Sequence, residues 1–161
     1  MIARGLILLG ALLVFGGVNW QIAHKERLRA NGETVFLELM PVDPRSLIQG
    51  DYMALNFALV RQIEGASPIG SGAAVVTFDD KRIGRFVKID SGGPLEPGQA
   101  RIRFRIRAGA IWLGTNAFFF EEGDAARYQG ARFGEFRVDG SGEALLVDMR
   151  GPGLQLMPRK P

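Results

Sequence analysis

Cysteine is absent from this 161-residue chain, and histidine occurs once, as His24. Disulfides, thiolate nucleophiles and cysteine-ligated zinc are therefore excluded, and a lone imidazole does not complete a transition-metal ligand set. A strong charge of either sign is missing too: 20 Lys and Arg stand against 17 Asp and Glu, a net charge of +3. That excess falls short of a nucleic-acid-binding signature, so nucleic acid is not an expected partner. No internal repeat and no low-complexity tract is visible, and Gly70-Ser71-Gly72 lacks the GK[ST] ending of a phosphate cradle. Asp43, Asp51, Asp79 and Asp80 supply carboxylates, but in turn contexts where Asp bonds nearby backbone N–H groups. No metal and no cofactor is expected.

What the chain has in quantity is glycine (22 residues) and apolar side chains (47%). Frequent glycines cut the sequence into short segments, which suits strands joined by turns. The exception is the N-terminus. Gly5 to Ala23 is an uninterrupted uncharged run, GLILLGALLVFGGVNWQIA. Its length matches the ~20 residues that a helix needs to cross a bilayer. Trp20 sits near one end, where an indole favours the headgroup layer. A cleaved signal peptide is the rival reading, but Asn19, Trp20, Gln21 and Ile22 follow the apolar core where small residues would be needed. The expectation is a retained anchor over residues 1–30, a β-rich soluble domain over 31–150 and a flexible tail over 151–161. His24 reads as a polar flank of the anchor.

Beyond a helix end at Asn31-Gly32, strands are expected at Thr34–Met40 and over a long stretch from Tyr52 to Ile63. Ala73–Phe78 and Arg85–Ile89 flank Asp79-Asp80-Lys81-Arg82 as a hairpin. Further strands are expected at Ala100–Ala108, Ile111–Leu113, Ala117–Glu121, GEFRV and ALLVDM, with one helical turn at Asp124–Gln129. The fold class is thus mainly β: one N-terminal transmembrane helix, then a compact antiparallel domain, barrel-like or sandwich.

Two stretches carry candidate functional residues. In Ala100–Ala108, Arg101, Arg103, Arg105 and Arg107 alternate with Ile102, Phe104 and Ile106. With a side-chain period of two, the four guanidiniums line one face of a strand. That face can meet phospholipid headgroups or an acidic partner, or it can be a solvated face paired with acids near Glu135 or Glu121. In Pro41–Phe57, Asp43 precedes Pro44, which favours an extended turn start, and Arg45 can reach Asp43 or Asp51 with its fork. Gly50-Asp51 then opens a strand in which Tyr52, Ala54 and Asn56 alternate against Met53, Leu55 and Phe57.

Gly50-Asp51-Tyr52-Met53-Ala54-Leu55-Asn56-Phe57 resembles the signature of the GDYXXLXY family, membrane-anchored bacterial proteins of unassigned activity. The last position is Phe, which keeps the ring and loses a hydroxyl. Asp43-Pro44-Arg45-Ser46-Leu47, Glu122-Gly123-Asp124-Ala125 and Ala131-Arg132-Phe133-Gly134-Glu135 fit the same family. The resemblance implies a lipid bilayer and a polytopic membrane protein as partners, with Asp43, Pro44, Arg45, Gly50, Asp51, Tyr52, Leu55 and Phe57 as motif residues.

The order of Gly50-Asp51, Phe86-Val87-Lys88-Ile89, Glu122-Gly123-Asp124 and Arg132-Phe133-Gly134 is also similar to type I signal peptidases. In those enzymes a lysine on a later strand activates a serine placed before the Gly-Asp strand. Lys88 matches the base, but the nucleophile position falls on Val42, and Ser46 lies four residues away. The expected function is that of a non-enzymatic accessory or binding protein of the bacterial inner membrane. A Ser46/Lys88 hydrolase is the alternative. Both resemblances imply a periplasmic soluble domain, although Lys25, Arg27 and Arg29 against Arg4 weakly favour the opposite orientation.

Overall fold

The computed structural model describes residues 2–40, 48–49 and 52–157. Helix α1 runs from Ile2 to Asn31. Its interior has no proline and is rich in Leu and Ala, both strong helix formers. At 1.5 Å per residue its 30 residues span about 45 Å. It closes where Gly32 N–H donates to Leu28 O at 2.8 Å, in keeping with the Asn31-Gly32 stop signal. From Gly5 onward α1 is long and apolar enough to cross a membrane, and none of its apolar window is buried by the rest of the chain.

The β domain follows in short elements: β1 (Glu33–Glu38), β2 (Ile48–Gln49), β3 (Tyr52–Ala54), helix α2 (Ala58–Gly65), β4 (Gly72–Phe78) and β5 (Gly84–Ile89). Then come β6 (Gln99–Arg107), β7 (Ala110–Trp112), β8 (Ala117–Phe119), the single-turn helix α3 (Ala125–Tyr128), β9 (Phe133–Val138) and β10 (Ala144–Arg150). Among the described residues three antiparallel sheets form, ordered β1-β9-β10, β2-β3-β8 and β5-β4-β6-β7.

The sheets include a curled half-barrel, and backbone bonds tie strands to neighbouring turns. Phe36 N–H reaches Arg82 O at 3.0 Å, and Arg103 N–H reaches Gly142 O at 2.7 Å. The second contact depends on Gly142, which has φ +83° and would place a Cβ 3.0 Å from Arg101. Only glycine takes that backbone conformation without cost while allowing so close an approach.

Side chains from all three sheets fill one core, with Leu37, Phe57, Ile63, Ile102, Phe104, Phe136 and Met149 fully buried. Burying each is worth roughly 1.5–3 kcal/mol. The inward alternation of Met53, Leu55 and Phe57 is present as read from the sequence.

Two expectations are corrected. The long strand from Tyr52 to Ile63 stops at Ala54, and its second half is α2, which turns Leu59 and Ile63 into the core four residues apart on one helical face. The tail from Gly151 does not hang loose through its first seven residues. Leu156 bridges back to Arg150, Gly151 N–H donates to Gln155 O, and Met157 is buried in the core. An apolar side chain with a core to enter holds the segment down.

Candidate functional site at the helix–sheet junction

Helix α1 is bare along most of its length but fixed at its C-terminal end. Leu28 is buried, and Arg137 of β9 donates to Gly32 O at 3.3 Å. The closest attachment is at Glu143, in the turn between β9 and β10. Its Oε2 lies 3.0 Å from His24 Nε2, and its Oε1 accepts from Lys25 Nζ. The hydrogen bond from Lys25, then that from His24, hold the Glu143 carboxyl down at about 2, against 4.5 ordinarily.

The turn itself is built by Asp139. Its Oδ1 accepts from Ser141 N–H at 2.9 Å, Glu143 N–H at 3.0 Å and Ser141 Oγ at 2.7 Å. Burial works against the Asp139 charge, but these donors outweigh it and leave the carboxyl below its usual value. His24, Asp139 and Glu143 bring three potential ligand atoms within 4.8 Å of one another. Yet Asp139 Oδ1 already serves three donors, and Glu143 already holds Lys25 and His24. The arrangement is satisfied as an ion-paired joint.

Beside this joint lies the arginine strand. Of the four arginines on β6, Arg103, Arg105 and Arg107 are exposed and Arg101 is half-buried, while Ile102 and Phe104 point into the core. The expected one-sided stripe is therefore present. The pairing foreseen for it is not: Arg101 Nε donates to Asp90 Oδ2 at 2.7 Å, and this holds the Asp90 carboxyl below its usual value. Glu135 belongs to other partners, accepting from Arg150 Nε at 2.7 Å and lying 3.8 Å from Arg137.

Arg103 and Arg105 have no ion pair or side-chain hydrogen bond among the described residues. Arg107 stands over the Trp112 ring at 5.8 Å. Together with Lys25, Trp112, Thr115 and Glu143, these three arginines line a groove of about 230 Å³. Its chemistry is that of an anion receptor: among the described lining residues three arginines stand without an acid, because Glu143 is held by Lys25 and His24.

The motif residues separate into two groups. Asp43, Pro44, Arg45, Ser46, Gly50 and Asp51 lie outside the described residues. Tyr52 lies on β3, partly exposed, with its ring 5.7 Å from that of Phe119 on β8. Leu55 and Phe57 are core. Phe57 meets Phe136 edge-on at 5.3 Å and lies against Gly134, where a Cβ would come within 3.0 Å of its ring.

The general base of the hydrolase reading needs burial, and Lys88 does not have it: Lys88 is exposed, opposite Val75, on β5 at the edge of its sheet. Sequence reasoning missed Lys25, Glu143, Trp112 and Thr115, because no local pattern links a lysine just past the apolar run to a turn 118 residues later.

No curated protein and no solved structure matches the chain. A family described as GDYXXLXY protein matches over residues 14–149, which takes in the end of α1, the joint, the arginine strand and the motif. On that match across most of its length, the chain belongs to the GDYXXLXY family.

Proposed function

We propose that the protein is a membrane-tethered accessory protein of the bacterial envelope, without catalysis of its own, acting beside a polytopic membrane partner. The observation that carries this reading is the contrast along α1. Leu6 to Ile22 expose their large apolar side chains all round, whereas the last turns are locked to β9 and β10. A helix bare on every side is suited to a hydrocarbon surround. A rigid joint at its end fixes how the β domain stands on the membrane surface.

Within the helix, Gly10 and Gly17 are seven residues apart and share a face, with open space beside both. Small residues on one face let a second transmembrane helix approach closely, which supports a partner in the bilayer. The reading puts the domain on the periplasmic side, which the family resemblance supports against a charge bias of about one residue. The test is affinity capture of full-length protein from detergent-solubilised membranes. Recovery of one polytopic protein, lost on Gly10→Leu/Gly17→Leu substitution with the β domain still folded, is the expected result. Capture of no membrane protein would refute the reading.

A further inference from the structure

The groove between the joint and the arginine strand has a specific chemistry. Arg103, Arg105 and Arg107 follow one another at every second position of β6, so like charges stand roughly 7 Å apart on one face. Such a row is self-repelling unless something negative is shared between its members. Among the described residues no such group is present: Glu143, the acid that lines the groove, is committed to Lys25 and His24.

Arg107 is steadied over the Trp112 ring at 5.8 Å, while the Thr115 hydroxyl gives its one proton to Ala117 O at 2.9 Å, which leaves an anion in the groove to the guanidiniums. Position narrows the choice of anion. Lys25 lies two residues past Ala23, the last residue of the uncharged run, so a membrane-embedded α1 brings the groove to headgroup level.

We propose that this groove binds the phosphate group of an anionic phospholipid in the leaflet facing the β domain. Paired guanidinium donors match phosphate oxygens in geometry and charge, and Arg107, held over Trp112, adds a third arm beside Arg103 and Arg105. The inference rests on α1 lying in the membrane and is independent of the protein partner. A bound headgroup offsets part of the row's charge and sets the height of the domain on the bilayer.

The experiment uses full-length protein in a neutral detergent with Trp20→Phe, so that emission reports Trp112, the other of the chain's two tryptophans. Short-chain phosphatidylglycerol, short-chain phosphatidylcholine and inorganic phosphate are titrated separately. The proposal expects a saturable change with phosphatidylglycerol, at least tenfold tighter than with phosphatidylcholine or inorganic phosphate. Arg103→Gln/Arg105→Gln should weaken binding about tenfold, Arg105→Gln alone about threefold, and Arg61→Gln on α2 not at all. Circular dichroism checks folding, and the single variant decides the matter where the double one fails to fold. Equal response to the two lipids, or binding indifferent to Arg105, overturns the site. Inorganic phosphate binding as tightly as phosphatidylglycerol overturns the lipid assignment. Affinity capture reads the partner separately, so either result stands without the other.

Discussion

Glu143 and His24, separated by 119 positions in the chain, meet at 3.0 Å where helix α1 joins the β domain. With Lys25 on the same carboxylate, this contact fixes the C-terminal end of α1 to the β domain.

The joint should depend on pH in one direction. The Glu143 carboxyl is lowered from 4.5 to about 2, so its contribution is present above about 4.5 and is lost as pH falls through about 2. Because Lys25 is half-exposed, the expected contribution is about 1 kcal/mol, well below what the full shift would imply. Urea unfolding of wild type and Glu143→Gln should differ by that amount at pH 7 and converge near pH 2. A constant difference across that range would contradict the assignment.

Glu135 is buried between Arg150 and Arg137. Glu135→Ala strands the Arg150 guanidinium in a poorly hydrated place, and removing one partner of a buried pair costs about 3 kcal/mol. Denaturant melts should show that loss. A change below 1 kcal/mol would mean that Arg150 reaches water freely.

Gly134→Ala pushes a methyl against Phe57, Phe136 and Leu146, each 3.0 Å from the added atom. Overpacking at this junction is expected to cost about 1–3 kcal/mol. Lys88→Ala, by contrast, should stay within about 0.5 kcal/mol, as exposed substitutions usually do. Thermal melts compare the two directly.

The absence of native cysteine makes topology measurable. A single cysteine at exposed Ser91, between β5 and β6, should react with a membrane-impermeant maleimide in intact spheroplasts if the domain is periplasmic. Labelling only after lysis would place it in the cytoplasm.

These contacts also mark what the sequence made legible. β6 was readable because strict alternation of Arg with Ile and Phe leaves one strand geometry, and the hairpin of β4 and β5 because Asp79-Asp80 interrupts two apolar runs. Helix α2 was hidden: Met53, Leu55, Phe57 and Leu59 keep a period of two, and Phe57 at the helix start makes no side-chain cap. The switch shows only in the spacing of Leu59 and Ile63. At the site, the arginine face could be read from β6 alone. Its neighbours could not, since Lys25, Trp112 and Glu143 are brought to it by tertiary folding.

The central claim is that α1 crosses a bilayer and holds the β domain at its surface. Alkaline carbonate extraction of membranes containing the full-length protein tests it most directly. The account predicts that the uncut chain stays in the pellet and is released only by detergent. Full-length protein in the supernatant, with its N-terminus intact, would contradict it.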